Sequence, residues 1–269
     1  MPNYYTKTKG NTLPAKKQFV GHLVLMLLIS CTLLSCKKDF VPAGTASLTC
    51  VHTVVGANGL ITNFNDKQPI AYHLANMISY ASYSSRLNRL NSYAGVQHLA
   101  LYQYPDTTSK DQPLFDLELD LPVNSISTLF LTGTVDAPDT LFTRDVVPTY
   151  APADSTMGIR FVNLSPGSGP VSVNIKGKSN GSEVISLPYK NISGFKDYTL
   201  QLSPDEYEFE FRDVASGALI AVYSTSGSNG KPELSVIYNW LYHSFTLALV
   251  GLPGGTGNNA PQVFKIDHY

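Results

Sequence analysis

Apolar side chains alternate with polar ones along most of this chain. In Phe115-Asp116-Leu117-Glu118-Leu119-Asp120-Leu121 the acids fall on one side and the apolar groups on the other. Glu206-Tyr207-Glu208-Phe209-Glu210-Phe211 repeats the pattern. Val171-Ser172-Val173-Asn174-Ile175 and Phe245-Thr246-Leu247-Ala248-Leu249 do so without charges. A period of two means strands with one face packed and the other in water, as in antiparallel sheets. Ser165-Pro166-Gly167-Ser168-Gly169-Pro170, Asn180-Gly181 and Ser228-Asn229-Gly230-Lys231-Pro232 supply turns. A helix is expected only over residues 74–90. Gly251-Leu252-Pro253-Gly254-Gly255-Thr256-Gly257 reads as a flexible hairpin loop rather than a phosphate loop, because no strand-then-helix frame surrounds it.

One stretch breaks the alternation. Residues 19–36 read FVGHLVLMLLISCTLLSC and run into Lys37-Lys38-Asp39. Lys7, Lys9, Lys16 and Lys17 precede them, without an acid. A basic leader, an apolar core and a small residue before the cut are the parts of a secretion signal. The apolar run, residues 19–35, falls short of the roughly 20 residues a spanning helix needs. Leu33-Leu34-Ser35-Cys36 resembles the bacterial lipobox, whose cysteine becomes a lipidated N-terminus. Leu28-Ile29-Ser30-Cys31 fits the box more strictly, since Leu34 is bulky for its place. Cys36 is preferred because cutting there puts the boundary where the apolar run meets the charges. The expected order is a signal peptide over 1–35, then a tether over 36–44.

The rest of the chain holds one unit twice. Residues 48–65 lie on 159–176 at a shift of 111, with Val51 on Val162, Gly56 on Gly167 and Asn63 on Asn174. Thr128-Leu129-Phe130-Leu131-Thr132-Gly133 lies on Thr246-Leu247-Ala248-Leu249-Val250-Gly251 at a shift of 118. Phe142 and Asp145 then fall on Phe264 and Asp267, a shift of 122. Order and collinearity, rather than any single identity, carry the repeat. The units are placed at 45–147 and 157–269, joined by a proline-bearing linker over 148–156. Units of this length with many short strands point to an all-β protein of two tandem antiparallel β-sandwiches, immunoglobulin- or transthyretin-like.

Ile159-Arg160-Phe161-Val162-Asn163-Leu164-Ser165-Pro166 resembles the opening strand and turn of the domain-of-unknown-function family 4397. The likeness continues through Val171 to Gly177 and resumes at Phe195, Tyr198, Leu200, Pro204 and Tyr207; it is fainter in the first unit, where Val54-Val55 replaces the Ser-Pro of the turn. Ser172 and Glu206 also depart from the family pattern. The resemblance implies an envelope β-sandwich, often in lipoproteins, with no established activity and no catalytic residue to carry over.

Composition narrows the chemistry. The leader holds four of the chain's 19 Lys and Arg and none of its 20 Asp and Glu, so the chain beyond it is mildly acidic and has no basic run. Nucleic acid is therefore excluded as a partner. Beyond Cys36 only Cys50 remains, so no internal disulfide is expected and Cys50 reads as a small buried hydrophobe. His52, His73, His98, His243 and His268 are scattered, and no metal-ligand spacing or cofactor motif is present. The acids of Asp116/Glu118/Asp120 and Glu206/Glu208/Glu210 lie too flat along a strand to converge on a cation and read as solvated faces. Tyr238, Trp240 and Tyr242 share one face of an expected strand: buried they are core, exposed they are a platform for sugar rings. The sequence thus points to a non-enzymatic lipoprotein of a Gram-negative cell envelope, outer-membrane and periplasmic or surface-exposed, held to the membrane by Cys36, with a binding, adhesion or structural role for which a glycan or an envelope protein is the candidate partner. The alternatives are a glycan-binding accessory using Tyr238, Trp240 and Tyr242, or a hydrolase with a site between the sandwiches.

Overall fold

The computed structural model describes residues 44–64, 75–106, 111–151, 154–200, 207–225 and 240–268. Of the alternating segments, residues 115–121, 171–175, 208–211 and 245–249 are strand. The first half holds β1 (Thr45–His52), β2 (Leu60–Asn63), β3 (Met77–Ile78), a single helical turn α1 (Ser85–Asn88), β4 (Arg89–Tyr93), β5 (Gly95–Gln103), β6 (Phe115–Leu121), β7 (Ile126–Thr134) and β8 (Ala137–Arg144). The second holds β9 (Thr156–Asn163), β10 (Val171–Ile175), β11 (Val184–Leu187), β12 (Lys196–Thr199), β13 (Glu208–Asp213), β14 (Leu219–Ser224), β15 (Ser244–Val250) and β16 (Gln262–Asp267). The helix expected over residues 74–90 shrinks to α1 in its described part. Arg89 and Leu90 pair instead with Thr49 and Leu48 of β1, and Asn88 donates its side-chain amide to the Cys50 carbonyl at 2.8 Å. Tertiary pairing outweighs a weak local preference there.

These strands form four sheets, ordered β4-β1-β7-β8, β3-β2-β5-β6, β12-β9-β15-β16 and β11-β10-β13-β14. Adding eight to each number in the first two sheets yields the last two. The sheets are antiparallel except for one parallel pair in each half, β1 with β7 and β9 with β15. Each parallel pair joins strands far apart in sequence, as a parallel connection requires. The registers repeat as well: Ser47 faces Ile126, and Gly158 faces Ser244. Those pairs are related by the 111 and 118 shifts read from the sequence. Gly133 and Gly251, also 118 apart, both take positive φ, +83° and +89°. A Cβ at either would stand 2.3 Å from a carbonyl oxygen across the hairpin, so only glycine fits both places.

The last strand departs from the sequence reading. Thr128 faces Thr143, and Thr246 faces Ile266. The shift there is 123, not 122, so Asp145 corresponds to His268 and Phe142 to Lys265. The resemblance of Phe142 to Phe264 misled because a slip of one residue turns a side chain to the other face. Phe142 packs on the core of its own sandwich, while Phe264 packs on the other face of its sheet.

Each half closes over its own core. In the first, Leu48, Cys50, Leu129 and Leu131 meet Leu60, Leu99, Leu101 and Leu121. In the second, Ile159, Phe161, Phe245 and Leu247 meet Val171, Val173, Phe209 and Phe211. A third apolar cluster joins them: Val51 and Phe130 from the first sandwich touch Val162, Ala248, Val250 and Ile266 from the second. The two inner sheets are therefore covered on both faces, and all seven residues of β15 are buried. The alternation predicted water on one of those faces; it meets the other sandwich instead. The result is four sheets stacked in one compact body, Ala43–Tyr269. The joining segment is packed too: Tyr150 donates its hydroxyl to Asp197 at 2.8 Å, and Ser244 donates to the Pro148 carbonyl.

Candidate functional site

The densest chemistry lies in the seam between the sandwiches. Arg160 stands mid-strand on β9, on the face opposite Ile159 and Phe161, and is 5% exposed. It donates from Nη1 to Asp145 Oδ1 and from Nε to Thr246 Oγ1, both at 2.8 Å. Its guanidinium lies 4.7 Å from the Phe195 ring centre. Asp145, just past β8, also accepts from Thr128 Oγ1 at 2.5 Å and Thr143 Oγ1 at 2.9 Å. Arginine can only donate. Arg160 Nη2 also lies 3.4 Å from His268 Nε2, so that nitrogen is an acceptor and takes the hydrogen of Thr246 Oγ1 as well, 2.6 Å away. His268 therefore carries its proton on Nδ1. Burial first, and then the Arg160 charge, lower its pKa to about 3, which keeps the ring neutral.

This network carries the duplication into the seam. Thr128 and Thr246 occupy equivalent places, as do Asp145 and His268. One hydroxyl donates to a carboxylate, the other to an imidazole, and Arg160 bridges them. The equivalent of Arg160 in the first half is Thr49, so this network holds one arginine where a symmetric pair would hold two. Sequence reading missed this group. The available signal was an arginine inside an otherwise apolar strand, Met157-Gly158-Ile159-Arg160-Phe161-Val162, which demands a buried partner.

Beside the network lies a cleft of about 650 Å³, lined by Ser85 and Arg89 from the first half and Tyr223, Trp240, His243 and Lys265 from the second. Its charged groups are engaged with one another and with the walls. Lys265 Nζ sits 4.7 Å from the Trp240 ring centre and 4.4 Å from that of Phe245, and pairs with Asp267 at 2.9 Å. Arg89 donates to Tyr83 Oη and to the Asp267 carbonyl.

The aromatic row predicted over 238–242 is placed differently. Residues 240–242 form a turn rather than a strand, closed by the His243 amide on the Trp240 carbonyl. Tyr242 takes a positive φ of 65°. Trp240 is 6% exposed and packs 4.6 Å from Phe245 in the second core. Tyr238, Cys31 and Cys36 lie outside the described residues.

Most of the acids in the two stripes have a side-chain partner. Asp116 lies against the His98 ring nitrogen, Asp120 pairs with Arg144, and Glu208 pairs with Lys176. Glu210 accepts from Asn174 and Arg212, which hold its carboxyl below the usual range; Glu206 lies outside the described residues. Among the described residues no cluster of three or more His, Cys, Asp or Glu could hold a metal. Cys50 is buried, and burial pushes its thiol up to about 12, so it behaves as a hydrophobe. No helix among the described residues is long and apolar enough to cross a membrane.

None of the curated proteins matches the chain in sequence. Among solved structures it is similar to an adhesin candidate from Bacteroides ovatus, at 10% identity and a TM-score of 0.24, over 87% of this chain and 99% of that one. The sequence reading placed the clearer family likeness in the second sandwich; the family match instead takes in the first sandwich and stops in β10. Residues 46–174 match the family model of DUF4397, a domain of unknown function, and it is this family that the chain resembles.

Proposed function

We propose that the chain is a membrane-anchored lipoprotein of the cell envelope with a non-enzymatic binding or adhesion role. The observation that carries this reading is Leu33-Leu34-Ser35-Cys36, which stands nine residues before the first strand. Each buried acyl methylene contributes about 0.8 kcal/mol, so two or three chains on one cysteine anchor a protein almost permanently. The disposition of its buried ionisable groups agrees with a structural rather than catalytic body. Arg160, Asp145 and His268 are consumed by the seam. Thr246 and His268 stand at the distance of a nucleophile and its base, yet Thr246 is 0% exposed and no substrate reaches it.

Incorporation of labelled fatty acid into full-length protein tests the anchor. Wild type and Cys31→Ala are expected to take up label and Cys36→Ala to lose it; equal labelling of Cys36→Ala would refute the assignment. Trp240→Ala separates core from glycan platform. Truncating a buried tryptophan costs about 3–5 kcal/mol, so a large loss of stability in urea is expected, whereas unchanged stability with lost carbohydrate retention would favour the platform.

A further inference from the structure

The second sandwich is open at the end where three of its connections gather. The β9–β10 turn, the β13–β14 turn and the β15–β16 loop surround a cleft of about 380 Å³ there. Its apolar walls are Leu219 and Ile220 from one sheet, Leu249 from the other, and Pro253 and Pro261 from the loop. Asp213 is the one charged residue among those that line it. On β13 the core beat runs Phe209, Phe211, Asp213, so a carboxylate stands where a third core side chain would follow. The first sandwich does not repeat this. Val171 faces Asp213 as Leu60 faces Gln103, and the Gln103 side-chain oxygen accepts from the Asn58 amide of its own half. Asp213 Oδ1 is used inside its turn, accepting from the Ser216 hydroxyl at 2.6 Å and the Ser216 amide at 2.7 Å. Those bonds hold the carboxyl below its usual range and keep it charged. Oδ2 lies beside Gly169, where a Cβ would stand 3.4 Å from it. Among the described residues no Lys, Arg or His forms an ion pair with Asp213. Its neighbour Arg212 turns to the other face of β13, where Glu210 and the Gly217 carbonyl accept from it. The serines of the wall are spent within the protein: Ser165 Oγ donates to the Gly251 carbonyl at 2.7 Å, and Ser168 Oγ accepts from the Asn163 amide at 3.0 Å. The first of these bonds ties the β9–β10 turn to the β15–β16 loop, so the cleft is shaped in advance.

We propose that this cleft receives a lysine side chain of a partner protein, with its methylenes against Leu219, Ile220 and the two prolines and its ammonium on Asp213 Oδ2. The inference rests on the binding role proposed above and gives that role a partner chemistry. Charge complementarity selects the occupant. The carboxylate repels an anion. A sugar would find no aromatic ring among the lining residues to stack on. A cation on an apolar stem suits the apolar walls and the single carboxylate together. Lysine fits better than arginine because one oxygen is open: the guanidinium fork is matched by two, whereas an ammonium is a point charge. The volume falls within the roughly 300–1,000 Å³ of small-ligand sites, enough for the side chain and part of its backbone.

Peptide titration followed by amide NMR tests this. Full-length isotope-labelled protein in detergent is titrated with an acetylated and amidated tripeptide, alanine-lysine-alanine, at millimolar concentrations. Saturable shifts are expected at Gly167, Gly169 and Gly254, which line the cleft. Glutamine in place of the lysine is expected to bind about tenfold more weakly, as loss of a hydrogen bond to a charged group implies. Asp213→Asn should weaken the lysine peptide equally. That variant keeps an Oδ1 for Ser216 and therefore the turn, and urea unfolding checks its fold. Gly169 has no positive φ, so Gly169→Lys can place an ammonium on the carboxylate from within. It is expected to abolish the shifts without lowering stability. Equal binding of the glutamine peptide, or undiminished binding to Asp213→Asn, would overturn the assignment. Shifts with N-acetylglucosamine and none with the lysine peptide would do the same and make the cleft a sugar site. Tighter binding of an arginine peptide would overturn the choice of lysine. Fatty-acid uptake by the same protein reports the anchor separately, so failure of the cleft leaves the lipoprotein reading standing.

Discussion

β6 and β15 share a period and differ in fate. In β6, Phe115, Leu119 and Leu121 are buried while Asp116, Glu118 and Asp120 face water. In β15 the off-beat positions are Thr246, Ala248 and Val250, and they are buried as well. The apolar beat announces a strand in both. What occupies the other beat announces what that face will meet. Acids require solvent, whereas threonine and alanine tolerate a second sheet and leave room for it to approach. The same distinction holds between the outer sheet β11-β10-β13-β14, with its ion-paired Glu208 and Glu210, and the inner sheet that carries Arg160 into the seam.

The comparison can be broken hardest at the seam. Asp145→Ala would strand Arg160 without its carboxylate, and removing one partner of a buried pair costs about 3–5 kcal/mol. Urea unfolding should show that loss. Arg160→Met with Asp145→Leu should restore most of it, because apolar replacement of a whole buried pair is often neutral. A loss in Asp145→Ala below about 1 kcal/mol would mean that the pair is solvated and the seam loose.

Acid should weaken the inner sheets next. His268 has its pKa lowered to about 3 and His52 to about 4, in both cases mainly by burial. His52 agrees in its bonding: Nε2 donates to the Asn58 carbonyl and Nδ1 accepts the Val54 amide, an arrangement only the neutral ring can make. Below pH 6.5 the unfolded chain binds protons that the folded chain refuses. Stability is thus complete at neutral pH and falls as pH drops toward those lowered values, by about 1.4 kcal/mol per pH unit per histidine. His268→Gln should make this slope shallower; an unchanged slope between pH 6 and 5 would show that the ring already ionises in the folded protein. The smallest effect belongs to the outer face. Glu118→Ala, exposed on β6, should change stability by no more than about 0.5 kcal/mol. A larger change would show that the outer face, too, is covered.

Much of the fold was legible in single residues. The offsets between Val51 and Val162 and between Thr128 and Thr246 reappear as identical strand registers, because a repeat keeps its core positions while loops lengthen. Two readings were lost to short range. Phe142 and Phe264 look equivalent although they face opposite ways, since chemical likeness does not report register. Residues 75–90 carry weak helical preference that the edge of β1 outbids. The seam was illegible for a different reason: Asp145, Arg160, Thr246 and His268 have no spacing that marks them as partners.

The sequence by itself determined the strands, most of the turns and the offsets at which the strand registers recur, since each follows from local periodicity, local backbone demands or collinear similarity. Only the tertiary structure decided that the two sandwiches share a seam, that Trp240 lies in a core turn, and that Arg160 reaches across to Asp145 of the other half. Those outcomes depend on which faces meet across long stretches of chain, and burial and charge pairing are properties of that meeting rather than of any segment alone.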